Sequence, residues 1–426
     1  MSTDDSTTTQ AVARPRRRDA AATRLILTLA SRIQRGRLDM TLPDGRQRSF
    51  RGSEPGPCAQ ITVHRPRFIR RMLTGGATGF GEAYLDSDVD SADLAQLLEL
   101  TACNEDALRR ILTGHPGVRA LARLGRLLTP NTRRGAKHNI AAHYDLGNDF
   151  YAAWLDPSMT YSAAVFARTD NDLESAQREK YRRIAEMAGL RPGHRVLEIG
   201  CGWGGFAVYA AKTIGCHVTA LTISEAQFAY TQRRIAALGL QDCVTVAFRD
   251  YRDEADRYDR IVSIEMIEAV GESWWPTYFR QLHDRLVAGG RAVVQAITID
   301  DALYADYRRG VDFIQRYIFP GGMLLSRQHL RTQADCAGLI PTESAAYGQH
   351  YAETLRRWRT AFETAWPRIA TQDDVARFDE RFRRMWRYYL AYCEAGFSEG
   401  RLDVLQAAFD RPIAARGVST RRSVPS

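Results

Sequence analysis

Residues 195 to 205 restrict what this chain can fold into more than any other stretch. A short apolar run, Val196-Leu197-Glu198-Ile199, leads straight into Gly200-Cys201-Gly202-Trp203-Gly204-Gly205, and a helical pattern starts at Gly205. A strand, a glycine loop and a helix in that order are the opening unit of a doubly wound α/β sheet, whose ligand lies beyond the carboxyl ends of the strands. The pattern then repeats. Strands are expected at 195 to 199, 217 to 222, 244 to 248, 260 to 264 and 291 to 297. Helices are expected at 205 to 213, 224 to 238 and 273 to 286, with Ser224 as N-cap and Gln227 at the capping-box position. Alternation of this kind implies a parallel, Rossmann-like sheet with crossover helices.

The rest of the chain fits two domains. Its 426 residues, 45% hydrophobic and 26% charged, describe ordinary globular material. Residues 1 to 20 form a basic tail, ending in Arg14-Pro15-Arg16-Arg17-Arg18, with too few apolar residues to fold. Residues 23 to 38 carry Leu25, Ile26, Leu29 and Ile33 against Arg24, Arg32 and Arg35 at helical spacing, so a helix packed on its own domain is expected there, with an interfacial helix as the alternative. A small α+β domain follows to about residue 130, possessing strand-like (59 to 63) and helical (67 to 73, 92 to 100) pieces. Residues 104 to 135 read as a basic helical connector, the second domain runs from 131 to 415, and 416 to 426 is a tail.

The seven cysteines show no CxxC spacing, so neither a disulfide framework nor a metal site is expected. No apolar run reaches the roughly 18 residues a membrane span requires, and no secretion signal is visible at Met1 to Gln10, so a cytoplasmic location is expected. The net charge of +9 favours a polyanionic partner, either nucleic acid or an anionic membrane.

The glycine loop differs from a dinucleotide fingerprint. It reads GxGxGG rather than GxGxxG, and the second strand ends in Thr222 instead of the acid that binds an NAD ribose. Glu198, inside the first strand, can hold a methionine ammonium; Thr222 and Gln227 can hold a ribose; Asp250 and Tyr251, after the third strand, can clamp an adenine. These features together favour S-adenosylmethionine, with Gly200, Cys201, Gly202 and Gly204 allowing its close approach.

Six segments in order carry a family resemblance: His143-Tyr144-Asp145-Leu146-Gly147-Asn148-Asp149, Met159-Thr160-Tyr161-Ser162, Leu173-Glu174-Ser175-Ala176-Gln177, Gly200 to Gly205, Ile264-Glu265-Met266-Ile267-Glu268-Ala269-Val270-Gly271 and Tyr317-Ile318-Phe319-Pro320-Gly321-Gly322. Over roughly 137 to 410 the chain resembles the cyclopropane-fatty-acyl-phospholipid synthases and mycolic acid methyltransferases. The resemblance implies a class I methyltransferase sheet, with Tyr161 and Ser162 joining the cofactor residues above. It also implies an acyl tunnel formed partly by a helical insertion from about Asp300 to Pro341, where Arg308, Arg309 and Arg316 could meet lipid phosphates.

The implied reaction joins the methyl group of S-adenosylmethionine to a cis double bond of an unsaturated acyl chain on a phospholipid. In cyclopropane-forming members a bound bicarbonate is thought to take the departing proton. Carried across by motif, its holders are Glu268, Gln295, Ile297 and Tyr351. Two positions depart from the pattern: Ala163 stands where many members have cysteine and Gln295 where many have histidine. Cys393 matches a cysteine once proposed as a nucleophile, although a core thiol suits a reaction that needs no covalent enzyme intermediate.

The resemblance thus implies a cyclopropane product, with a methyl-branched or methylene chain as the alternative. It implies an anionic membrane surface as partner rather than nucleic acid, with peripheral attachment to its inner face, and it leaves a homo-oligomer open. A small-molecule methyltransferase could share the sheet without the flanking motifs, and a lipid-binding protein without activity would not need the loop glycines.

Overall fold

The computed structural model describes residues 17–105, 107, 146–371 and 378–413. The tail as far as residue 16, most of the 104 to 135 connector, His143-Tyr144-Asp145 and the tail from 416 lie outside these residues. The chain divides into two compact units, one of Met1–Thr132 with Ala370–Glu399, the other of Arg133–Ile369 with Gly400–Ser426.

In the first unit a helix, Arg17–Ala30, precedes strands β1 (Arg35–Thr41), β2 (Gln47–Arg51), β3 (Glu54–Val63) and β4 (Val89–Asp90), ordered β2-β1-β3-β4. The helix expected across 23 to 38 therefore stops at Ala30. From Arg35 the side chains alternate instead, with Leu38 and Met40 buried between exposed Arg37 and half-buried Asp39, and a period of two belongs to a strand. Helices Arg67–Leu85, Leu94–Cys103 and Glu380–Ser398 complete the unit. The last of these departs from the expected single domain from 131 to 415. Its buried Trp386, Tyr389, Leu390 and Phe397 pack with the first unit, where Arg384 donates to the carbonyls of Tyr84 (2.6 Å) and Val89 (3.0 Å).

The second unit contains β5 (Arg195–Ile199), β6 (His217–Thr222), β7 (Val244–Phe248), β8 (Tyr258–Ile264), β9 (Leu286–Ile299), β10 (Leu325–Ser326), β11 (Ile340–Ala346) and β12 (Leu402–Asp410). The sheet runs β11-β12-β9-β8-β5-β6-β7, with β12 antiparallel to both neighbours and β10 paired to β9. It is a doubly wound, Rossmann-like sheet, as expected. Successive residues of one strand enter different cores: Leu197 and Ile199 join the cluster with Ile261, Val294 and Phe279, whereas Val196 joins the one with Val218, Val262 and Phe206. Burial on both faces is why these strands read as nearly continuous apolar runs.

Strand order reverses beside β5, because the chain passes to β6 and β7 on one side and returns to β8 on the other. That crevice holds the glycine loop. The helices Asp301–Arg309 and Phe313–Tyr317 follow β9 in the chain. The insertion expected to extend to Pro341 is shorter than that: Ser326 caps the helix Arg327–Cys336, whose Leu330 and Ala334 are buried in the sheet's own core, and β11 begins at Ile340. Among the described residues no helix is long and apolar enough to cross a membrane.

Candidate active site

Backbone geometry at the end of β5 follows from glycine. Gly200, Gly202 and Gly204 have φ of 81°, 52° and 79°, the left-handed region that disfavours a Cβ. At Gly202 an added Cβ would meet nothing within 4 Å, so the loop faces open space there. Glu198, 2% exposed just before it, leaves one carboxylate oxygen buried without a hydrogen-bond partner, and burial pushes its pKa up to about 8. An orphaned carboxylate beside an open glycine cradle suits a ligand that brings its own ammonium, as S-adenosylmethionine does.

Thr222 and Gln227 are hydrogen-bonded to each other: the Thr222 hydroxyl donates to Gln227 Oε1 at 3.0 Å and accepts from the Ser224 amide at 3.1 Å. Cys201 is buried and donates weakly to the Gly202 carbonyl at 3.6 Å. Asp250 is spent locally, accepting from Arg252 Nε (2.9 Å) and Nη2 (2.6 Å), which holds its carboxyl below the usual range. Tyr251 packs edge-on against Tyr278 at 5.7 Å.

Tyr161 sits in an aromatic wall, with ring centroids 5.4 Å from Tyr151, 5.6 Å from Trp154, 5.3 Å from Trp358 and 6.5 Å from Phe319. Its segment is anchored to the helix Gly348–Ile369, since the Ala164 amide donates to Thr354 Oγ1 (3.1 Å) and the Phe166 amide to His350 Nδ1 (3.1 Å). Ser162 accepts from Lys180 Nζ at 2.6 Å, and its carbonyl accepts from Gln177 Nε2 at 2.9 Å. Lys180 is fully buried, and desolvation lowers its pKa to about 7 against the raising pull of Glu265, Asp156 and Glu198.

Two of the four residues expected around bicarbonate, Gln295 and Tyr351, converge with the Ala163 amide on one protein carboxylate, and the other two, Glu268 and Ile297, bond to each other. Glu265 Oε1 accepts from the Ala163 amide (2.8 Å) and from Gln295 Nε2 (2.8 Å), and Oε2 accepts from the Tyr351 hydroxyl (3.1 Å). Glu268 Oε1 accepts from the Ile297 amide at 2.6 Å, while its Oε2 is buried without a partner. Burial pushes both pKa values up, that of Glu268 to about 8 with repulsion from Glu265 as a second cause. Gln295 is held in turn by Gln406, its register partner on β12, whose Nε2 donates to Gln295 Oε1 at 2.9 Å.

Three of these participants escape the sequence reading. Glu265 stands inside a quoted motif with no role attached, and Lys180 and Gln406 look like ordinary helix and strand residues. The one usable signal is a strand-end glutamate three residues before Glu268. Cys393 is half-buried on the helix Glu380–Ser398 of the first unit, whereas the other candidates belong to the second. Arg308 and Arg309 are engaged as well, Arg308 with Glu272 at 2.8 Å and Arg309 with Asp306, and Arg316 lies 5.4 Å from the Tyr317 ring.

Residues 131–407 match the sequence profile of a family described as mycolic acid cyclopropane synthetase. A tuberculostearic acid methyltransferase of Mycobacterium tuberculosis is 38% identical over 401 residues, covering 91% of this chain and 90% of the relative. The cyclopropane-fatty-acyl-phospholipid synthase of Escherichia coli is 36% identical over 369 residues, covering 86% and 90%. Among solved structures, a cyclopropane synthase from Mycobacterium tuberculosis is similar at a TM-score of 0.60 and 30% identity, over 64% of this chain and 97% of that one. A mycolic acid cyclopropane synthase complexed with SAH and CTAB is similar at a TM-score of 0.59 and 30% identity, again over 64% and 97%.

Proposed function

Because the chain belongs to the mycolic acid cyclopropane synthetase family, and is an S-adenosylmethionine-dependent methyltransferase of fatty acyl chains, we propose that it adds a one-carbon unit to a cis double bond of an unsaturated phospholipid acyl chain. The observation that carries this reading is a buried acidic floor joined to an aromatic wall. Glu265 is hydrogen-bonded to Tyr351, the Tyr351 ring meets Trp358 at 5.9 Å, and Trp358 meets Tyr161.

An isolated alkene is a weak nucleophile, so positioning and exclusion of water dominate its alkylation. S-adenosylmethionine, when bound, supplies the electrophilic methyl group. Glu198 would hold its ammonium, the Gly200 to Gly204 loop its backbone, and Thr222 with Gln227 its ribose. Tyr161 and Ser162 would complete the cofactor's surroundings. Attack leaves positive charge on the chain, which aromatic faces and carboxylates stabilise in a dry site. The partly buried apolar side chains of Leu303, Tyr307, Met323 and Leu324 offer acyl contacts from the insertion.

The phospholipid substrate is supported by likeness to the synthase of Escherichia coli, and an anionic, inner-face membrane surface by the net charge of +9. A second product deserves equal testing. The relative at 38% identity is a tuberculostearic acid methyltransferase, which supports a methylene or methyl-branched chain as the alternative to a cyclopropane ring.

Mass spectrometry of lipids from cells expressing the chain tests both. Acyl chains heavier by one CH2 group are expected, and fragmentation then separates ring from branch. Lipids of unchanged mass, from cells containing folded protein, would overturn the proposal.

A further inference from the structure

Bicarbonate does not fit the site that the family resemblance assigns to it. The Ala163 amide, the Gln295 side-chain amide and the Tyr351 hydroxyl all donate to Glu265, and the Ile297 amide donates to Glu268. A further anion would find the Ala163, Gln295 and Tyr351 donors taken and would meet the Glu265 carboxylate. The backbone carries an independent sign. Glu265 has a φ of 48°, one of three non-glycine residues in the left-handed region among those described, although a glycine would adopt it freely. Strain of this kind persists where the surroundings hold a side chain in place, and here three donors do so.

We propose that Glu265 is the resident anion of this site, replacing bicarbonate and itself taking the proton that leaves the alkylated chain. The proposal rests on the methyl-transfer reading above. The alkene π pair forms a C–C bond to the transferred methyl carbon, the methyl–sulfur bond breaks, and its pair stays on sulfur. A C–H bond close to the resulting cation then breaks. Its electron pair forms either the closing C–C bond of a ring or the C=C bond of a methylene chain, and the proton goes to a Glu265 oxygen. No external base or redox partner enters. Lys180 supplies the nearby positive charge, and Gln406 sets the Gln295 amide that faces Glu265.

The test compares the full-length chain with Glu265→Gln, which keeps the shape without the charge, and Glu265→Gly, which relieves the backbone and clears the donors. Two readouts are needed. In a titration with carbon-13 bicarbonate followed by NMR, the wild type should show no saturable binding and the glycine variant should gain it. With vesicles of dioleoyl phosphatidylglycerol and phosphatidylcholine, wild-type methyl transfer should be equal in carbonate-free and bicarbonate buffer. Glu265→Gln should be slower by about 100-fold or more, as for loss of a positioned base, with S-adenosylmethionine affinity retained. Glu265→Gly should be slow without carbonate and recover about tenfold with it, within the range a restored base supplies.

Slowing of the wild type in carbonate-free buffer, or full activity of both variants there, overturns the proposal. If the wild type modifies no unsaturated lipid, the functional reading fails instead. The titration still decides the anion site in that case, because bicarbonate binding by the wild type equal to that of the glycine variant would overturn Glu265 as its occupant.

Discussion

Gln406 and Gln295 face each other across the antiparallel β12–β9 pair, and the Gln406 amide nitrogen donates to the Gln295 side-chain oxygen at 2.9 Å. That bond leaves the Gln295 nitrogen directed at Glu265. Gln406 is therefore a positioning residue buried behind the site.

Replacing Gln406 by Met should lower kcat by roughly three- to tenfold and leave S-adenosylmethionine affinity unchanged, because one supporting hydrogen bond contributes about 1 kcal/mol. A double-mutant cycle with Gln295→Met checks the mechanism. The two effects should be coupled rather than additive; additive effects would mean that Gln406 acts only through general packing.

Gly202→Ala places one methyl group into the open space at the loop. The left-handed φ costs about 1–2 kcal/mol, too little to unfold a unit of this size, yet cofactor affinity should fall at least about tenfold if the ligand backbone passes there. Calorimetry on the folded variant measures it, and undiminished affinity would contradict the placement.

With Glu198 as the holder of the cofactor's ammonium, binding should depend on pH. Its pKa is pushed up to about 8 by burial, so the carboxyl is largely neutral at neutral pH. A bound ammonium needs the ionised form, so binding should release a proton, and affinity should rise with pH toward about 8. Calorimetry in buffers of different ionisation enthalpy reports the proton. Stability should move oppositely. A carboxyl with a raised folded pKa favours the folded state at low pH and loses that contribution as pH climbs from about 4.5, the ordinary value, to about 8. Glu198→Gln should flatten both dependences; an unaltered pH profile of affinity would exclude Glu198 from the ammonium site.

Vesicle binding should increase with the anionic lipid fraction and weaken in high salt, as for a basic protein on a negative surface. Arg308 and Arg309 already have acidic partners in Glu272 and Asp306, so replacing both by Ala should alter binding by less than about twofold, in line with the small worth of exposed pairs. Sedimentation with vesicles of graded charge tests both statements. A large loss in the double variant would show that these arginines leave their partners for lipid phosphate.

Much of the second unit could be read from local pattern. Apolar runs of strand length, glycines after β5 and the Ser224 cap are statements about a few neighbouring residues, and backbone sterics and burial make them reliable. The pattern failed where two periods compete: residues 31 to 38 carry apolar side chains compatible with a helix, but pairing of β1 with β2 and β3 selected the strand.

The site divides in the same way. Gly200, Gly202, Thr222, Gln227 and Glu198 could be nominated for a cofactor because they stand at or just after the ends of neighbouring strands, and the order of short motifs nominated Glu268, Gln295 and Tyr351 for an anion. Nothing in the order of residues shows that Glu265 receives the donors from Ala163, Gln295 and Tyr351, which come from three separate segments. Nor does it show that Lys180 loses its water, or that the helix bearing Cys393 belongs to the first unit. The sequence alone determined which residues could bind a sulfonium cofactor, since that depends on local backbone freedom and side-chain chemistry. Only the tertiary structure decided which carboxylate occupies the anion position, because burial, strand register and the direction of a hydrogen bond arise when distant segments pack.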